Sequence, residues 1–559
     1  MTATSASAYP LLSNTALADR VRAATQGQGE IAVVDVREQY AYAQQSILLA
    51  VNLPLQRLEL SVSTALPRFE TPIVIVDHHG ELANSAAERL RLLGYKNLSI
   101  LERGVLGWAA EGLPLYSGFN VRSKAFAEQI EHAFGTPAIS ATELFERKAR
   151  GDDILVLDSR PYEEYHHSTV PGALSVPGAE LIRNVRDIAP DPSTTLVVSC
   201  GGRTRSIVGA QSLISAGVPN PVLSLRNGTG GLRLDGIELQ YGAEHAHAAP
   251  SAAALSWADI ATRDWENQTG HPVLGSAQIQ GWLADSQRTL YVLDLREKAS
   301  YAAGHHPRAR NVSGGQVLQA IDVHAPVWNA RILLIDDAPL VRARQTAYWL
   351  AQLGSFEVGI ADQAQLPGAL AVGEPQTALR IARQAPVAAL TAEQLAGMLE
   401  APAERPVILD LSLSPAYRQA HIPGSRWALR SDLLALLDGP AAGQVAVLTS
   451  EDGILAEVAA QYLVAEHPPL ANRVQVLKGG NQAWRAAGFA LQPARIKGPE
   501  DVAHFIDVWT PPQQTVGDLL GAVKRYLNWE IDLLEQLASD PFSSLAIRGL
   551  QVPASTPSA

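Results

Sequence analysis

The sequence predicts an α/β protein of four tandem, doubly wound domains, each a mainly parallel sheet flanked by helices, followed by a helical C-terminal tail. Three observations predict it. A short apolar strand ending in an acid recurs four times. A second apolar strand follows each copy about forty residues later, and the pair of strands recurs at a period much longer than the units of a solenoid. Each second strand then leads into a segment with apolar residues at helical spacing, and strands that alternate with amphipathic helices build parallel sheets covered on both faces.

Taken in order, the first copy has Ile31 to Glu38 as its strand phrase and Ile73 to Asp77 as its second strand; it is expected over residues 12–118. The second, over 137–242, has Ile154 to Arg160 and then Leu196 to Cys200. The third, over 273–370, has Tyr291 to Glu297 and Ile332 to Asp337. The fourth, over 385–494, has Val407 to Ser412 and Val445 to Ser450, and its phrase alone lacks the arginine. Tyr116 to Pro137 joins the first two copies, is helix-like around Ala125 to His132, and is expected to pack across their interface. Ala243 to Ala254 reads as a flexible separator from its Ala, His, Pro and Ser content, and Ala371 to Gln384 as the last join. The tail, 495–559, has apolar residues at helical spacing from Val516 to Leu537 with Trp529 among them, a face expected to dock on its own chain. Gln551 to Ala559 is expected to be loose.

The 44 basic and 56 acidic residues leave a formal charge of -12, which argues against sequence-independent nucleic-acid binding and against an anionic membrane surface. Any anion site must be a local basic pocket. A single cysteine excludes an intramolecular disulfide. The start lacks a basic, apolar secretory signal, and no run of about eighteen apolar residues occurs, so a cytoplasmic protein is expected.

That cysteine heads the most reactive stretch of the chain, Cys200-Gly201-Gly202-Arg203-Thr204-Arg205-Ser206. It sits between a strand and a helix. Two glycines let the backbone curl so that successive N–H groups face inward, a nest at a helix start that favours an anion. Arg203 and Arg205 add positive charge, and all of these features favour a nucleophilic thiolate over a structural, buried thiol. Counting seventeen residues back from the glycine after each helix reaches Cys200 from Gly217, Asp77 from Gly94 and Asp337 from Gly354; aligning Tyr462-Leu463 with Ser212-Leu213 reaches Ser450. Neither Asp nor Ser can carry sulfur, so one working domain stands among three degenerate copies.

The second copy resembles the rhodanese, or sulfurtransferase, family in Asp158-Ser159-Arg160-Pro161-Tyr162-Glu163-Glu164-Tyr165, Val170-Pro171-Gly172-Ala173, the Cys200 loop, and Leu225-Arg226-Asn227-Gly228-Thr229. Echoes occur at His305-His306-Pro307, at His421-Ile422-Pro423-Gly424, and at the glycine-tryptophan segments ending in Trp108 and Trp484. The whole is similar to tandem, multidomain rhodanese-like proteins. The resemblance implies a thiosulfate sulfurtransferase in which Cys200 takes sulfane sulfur as a persulfide and passes it to cyanide or a thiol. Gly201, Gly202, Arg203, Thr204, Arg205, Ser206 and Arg160 would bind the small anionic donor, with no metal and no cofactor. Arg205 holds the place of a basic residue in thiosulfate users, and Arg203 stands where many members have glycine.

Other readings remain open from the residues. A cysteine phosphatase would space its arginine one residue further from the cysteine and usually carries a histidine where Ser199 stands. A persulfide carrier or docking scaffold would deliver sulfur to a protein partner, using the three inert copies as surface. Asp158 and Arg160 read either as substrate contacts or as a strand-end pair orienting the Pro171-Gly172 turn, and Asn227-Gly228-Thr229 as a turn beside the pocket. The His166-His167 and His305-His306 pairs lack partners at ligand spacing.

Overall fold

The computed structural model describes residues 8–354, 356–373, 385–401, 405–548 and 550, so most of the expected join from Ala371 to Gln384, and Gln551 to Ala559, lie outside the described residues. The first sheet holds β1 (Leu11–Leu12), β2 (Ile31–Asp35), β3 (Val51–Asn52), β4 (Ile73–Val76) and β5 (Leu98–Leu101), in the order β1-β5-β4-β2 with β3 beside β2. The second holds β6 (Ala138–Ile139), β7 (Ile154–Asp158), β8 (Leu174–Ser175), β9 (Thr195–Ser199) and β10 (Val222–Leu225), ordered β6-β10-β9-β7-β8. In the third region come β11 (Leu290–Asp294), β12 (Arg310–Asn311), β13 (Val327–Trp328), β14 (Arg331–Asp336) and β15 (Glu357–Asp362), with the sheet order β12-β11-β14-β15. The fourth holds β16 (Ala388–Leu390), β17 (Val407–Asp410), β18 (Arg426–Trp427), β19 (Ala446–Thr449) and β20 (Val474–Leu477), ordered β16-β20-β19-β17-β18.

Strand pairing within these sheets is parallel, as runs such as Ile73–Val76 and Thr195–Ser199 require, because every one of their residues is buried. β13 is the exception: it leaves the third region and pairs antiparallel with β2, Val327 opposite Ala32 and Trp328 opposite Ile31. The first and third regions are therefore interlocked. One apolar cluster runs through the first three sheets and the tail, from Leu12 through Val198 and Ile332 to Ile547, whereas the fourth sheet keeps separate clusters around Leu448 and Val447.

The helix of the first join spans Val121–Phe134 and packs across the interface. Its Arg122 bonds Asp322 at 2.8 Å and lies 4.3 Å over the Trp328 ring. The segment from Ala243 to Ala254 departs from its expected flexibility. Ser175 N–H donates to His245 O at 2.9 Å and His247 N–H to Ser175 O at 3.1 Å, because edge strand β8 has backbone groups that need partners. In the tail, a helix over Leu519–Ser539 starts where Asp518 accepts the Gly521 N–H, and buries Val523, Leu527, Leu533 and Leu537. Trp529 lies against Gly118, whose φ of +87° and lack of a side chain leave room for the indole. Among the described residues no helix is long and apolar enough to cross a membrane.

Candidate active site

Cys200 follows β9 directly and precedes a helix over Thr204–Ser215; it is 2% exposed. The loop between them is held from beneath by a second turn. Gly228, at φ +51°, lies so near that a Cβ there would come within 2.1 Å of the Cys200 carbonyl oxygen, and a Cβ on Gly230 would meet Gly201 O at 3.3 Å. Thr229 N–H donates to Cys200 O at 2.9 Å and Gly230 N–H to Gly201 O at 3.2 Å. With the loop's carbonyls drawn toward this turn, the backbone N–H groups from Gly201 to Ser206 donate to no protein acceptor among the described residues. They remain for an anion. The sulfur lies 3.5 Å from Ser206 Oγ, whose hydroxyl donates to Arg203 O at 2.8 Å.

Cys200 opens into a cavity of about 590 Å³. Its walls come from four parts of the chain: the second copy, the join helix through Lys124, the third region through Gln316, and the tail through Trp509, Tyr526 and Glu530. Gly201, Gly202, Arg203, Thr204, Arg205 and Arg160 all line it, while Ser206 is fully buried behind the sulfur.

The arginines behave differently from the sequence expectation. Arg203 is not offered to a ligand: its Nε and Nη2 donate to Glu128 at 2.6 and 2.8 Å, and Nη2 also meets Glu131. Burial opposes its charge, but the two glutamates win and hold the guanidinium more firmly protonated than usual. Burial likewise raises the Glu128 carboxyl above its ordinary range, with Arg203 working against that rise. Arg160 is also committed, donating from Nε to Asp158 at 2.9 Å and from Nη2 to Asp158 and Ser168 O. The same pair recurs as Arg37–Asp35 and Arg296–Asp294, where no cysteine follows, and in the fourth sheet Asn481 takes the arginine's place on Asp410 at 2.8 Å. A contact that persists where no cysteine follows is structural.

Arg205 stays at the site. Its guanidinium is held in a fork by Glu164, at 2.7 and 2.9 Å, and by Gln316 at 3.0 Å. Burial opposes its charge, while Glu164 and the neighbouring Cys200 favour it strongly enough to raise its pKa. Lys124 pairs with Glu530 at 3.1 Å, and Tyr526 donates to the same carboxylate at 2.9 Å. Burial first, then Glu530 and Cys200, keep the Tyr526 phenol protonated.

Sheet register settles what replaces the cysteine elsewhere. Asp158 faces Ser199, Asp35 faces Val76 and Asp410 faces Thr449, so Asp77 and Ser450 follow at the cysteine's position. Each also accepts an N–H at 2.9 Å from the turn beneath it, as Cys200 does. In the third region Asp294 faces Ile335, which puts Asp336 there instead of the expected Asp337. The helix there begins five residues after Asp336, against four after Cys200, so counting back from Gly354 stops one residue short of it. Asp336 is fully buried and bonds Arg342 at 2.8 Å. Nearby, Glu180, His247 and Glu297 bring ligand-type atoms within 4.8 Å of one another, but Glu180 already binds Arg342 and Arg183, which makes this an ion-pair network.

Sequence reading missed Glu164 as the partner of Arg205, although it lies within a quoted motif, and it missed Gln316 and the tail residues. Those come from 111 and more residues away, and no local pattern marks them.

A loop of free N–H groups around a cysteine, at the end of a parallel strand, defines a class. Residues 17–111, 140–233 and 391–487 match the model of the rhodanese-like domain, and the chain belongs to that family. A solved structure described as a thiosulfate sulfurtransferase from Pseudomonas aeruginosa is similar over 97% of this chain and 100% of its own, with 36% identity and a TM-score of 0.88. Shorter relatives are the uncharacterized protein YibN of Escherichia coli, 28% identical over 18% of this chain and 77% of that protein, and the HTH-type transcriptional regulator Rv0324 of Mycobacterium tuberculosis, 32% identical over 20% of this chain and 50% of that one.

Proposed function

We propose that this chain is a sulfurtransferase that loads sulfane sulfur from thiosulfate onto Cys200 and gives it to cyanide or a thiol. The observation that carries the reading is the Cys200 sulfur at the head of a loop whose six N–H groups are uncommitted, beside Arg205 and facing a cavity. In loading, the Cys200 thiolate attacks the outer sulfur of thiosulfate; the new S–S bond forms as the old one breaks, and sulfite leaves with the electron pair. Loop N–H groups and Arg205 stabilise the anions on both sides of that step. Attack of cyanide on the outer sulfur then releases thiocyanate and restores the thiolate. The match to a thiosulfate sulfurtransferase over nearly the whole chain supports the donor.

In this reading the third region is a fourth, diverged rhodanese-like copy, supported by its shared strand order and its Arg296–Asp294 pair. The domain limits of 12–118, 137–242, 273–370 and 385–494 follow from the same argument. Enclosure of Cys200 by the third region and the tail favours small substrates over sulfur delivery to a protein partner. The test is steady-state formation of thiocyanate from thiosulfate and cyanide. The full chain turns over and Cys200→Ser does not; an inactive wild type rejects the reading.

A further inference from the structure

We propose that Arg233, on the rim of the Cys200 cavity, forms an outer anion subsite that takes up the doubly charged sulfur oxyanion before it reaches the cysteine loop. The inference rests on the sulfurtransferase reading and adds a specificity-determining residue to that same site.

Charge is the first ground. The chain carries a formal charge of -12, so a dianion approaches against a net repulsion and needs a local cation to draw it in. Of the lysine and arginine side chains that line the cavity, four are already neutralised: Lys124 by Glu530, Arg160 by Asp158, Arg203 by Glu128 and Arg205 by Glu164. Arg233 lines the same cavity and, among the described residues, pairs with no carboxylate. Its Nη2 donates to the Tyr241 hydroxyl at 3.3 Å, and its Nε is buried without an acceptor.

Position is the second. Arg233 belongs to the short helix Gly228–Leu234, which starts from the turn beneath the cysteine loop. Thr229, whose N–H donates to Cys200 O, stands one turn earlier on the same helix face, and both residues line the cavity. Four residues of helix rise about 6 Å, and because Thr229 is buried and Arg233 half-buried, that turn leads from the loop toward solvent.

The neighbours leave this cation in charge of the rim. Tyr241 is 60% exposed and stands edge-on to His167, which also lines the cavity, with ring centroids 6.4 Å apart. Glu163 is the one acid lining the cavity without a cation partner. It is exposed, and it precedes His167 by four residues on the helix Tyr162–His167, so its charge is screened by water and falls on the imidazole's side of the rim. Arg205 cannot serve as the entry cation, because Glu164 holds both of its terminal nitrogens. A guanidinium with uncommitted N–H donors matches an oxyanion, which accepts such donors in pairs.

The test separates binding from chemistry. The probe is radiolabelled thiosulfate, equilibrated by dialysis with the full chain carrying Cys200→Ser, which binds without reacting. Adding Arg233→Gln should weaken binding about fivefold at low salt, and the difference should shrink at high salt. Arg233→Lys, which keeps the charge, should stay within about twofold of the parent. Arg226→Gln removes an exposed arginine that does not line the cavity and should change nothing. Melting curves should match throughout, since Arg233 makes a single contact to an exposed hydroxyl. Equal affinity with and without Arg233, or an equal loss in Arg226→Gln, overturns the subsite; were Arg233→Gln to fail to fold, a loss of affinity in folded Arg233→Lys as large as fivefold would do so too, because charge would then not be what binds. Absence of thiocyanate formation by the chain with Cys200 intact would reject the sulfurtransferase reading alone and leave Arg233-dependent binding standing.

Discussion

Replacing Glu164 by glutamine should improve thiosulfate binding. In the native site two nitrogens of Arg205 are taken by the Glu164 carboxylate, at 2.7 and 2.9 Å, so an incoming oxyanion must share or displace an anion that is already there. A hydrogen bond to a charged group contributes about 1.5–3 kcal/mol, and exposed ion pairs about 0.2–1 kcal/mol. The Glu164 side chain is 42% exposed and that of Arg205 15%, so solvent screening brings the contribution to about 1 kcal/mol. At about 1.4 kcal/mol per factor of ten, the KM for thiosulfate should fall about fivefold in Glu164→Gln. Gln316 still holds the guanidinium in place at 3.0 Å. The assay is thiocyanate formation at saturating cyanide with thiosulfate varied, repeated at high salt, where the advantage should shrink. An unchanged or raised KM would refute the idea that Glu164 competes with the donor.

Arg203→Ala should cost stability more than donor binding: it strands the buried Glu128 carboxylate, and breaking such a pair costs about 3–5 kcal/mol, so thermal melting should drop by several degrees; a raised thiosulfate KM with unchanged melting contradicts this. Glu38 should make stability fall as pH rises. Burial, with Asp507 and Asp432 outweighing Arg57, pushes its carboxyl up to about 8, so the folded state holds this proton between about 4.5 and about 8 while the unfolded chain loses it. Glu38→Gln should therefore be the more stable form above about pH 8, by a few kcal/mol at most, and equal the wild type near pH 4; parallel denaturation curves across that range would exclude the effect. Placing cysteine at the equivalent third position, Asp336→Cys, in a Cys200→Ser background should not restore turnover, because the loop there is one residue longer and Pro339 lacks an N–H. Recovered thiocyanate formation would show that the cradle is more permissive than that.

The parts of this structure that local sequence encodes were readable in advance. Strands such as Ile73–Val76 are buried on both faces and therefore apolar throughout, and the Cys200 loop announces itself by a strand, two glycines and a helix within a dozen residues. The acid–arginine phrase was visible too, although only its recurrence beside Asp77 and Asp336 shows that it braces a turn. Positions decided by tertiary packing were not readable. Arg203 looked like pocket charge until Glu128, 75 residues away, claimed it. Asp337 was placed one residue late because the loop from Asp336 to its helix is one residue longer than the loop from Cys200 to Thr204, a length that counting back from Gly354 does not register. The tail's apolar face signalled docking, but nothing in its spacing says that Tyr526 and Glu530 reach the cavity of Cys200. The swap of β13 into the first sheet has no local signature at all.

The central claim is that one sulfur atom in this chain carries the transferred sulfur. Intact-protein mass spectrometry after incubation with thiosulfate and removal of excess donor tests it directly. The wild type should gain the mass of one sulfur, lose it on addition of cyanide in equal amount to the thiocyanate formed, and show no gain in folded Cys200→Ser. A sulfur adduct retained in the folded serine variant would contradict the account.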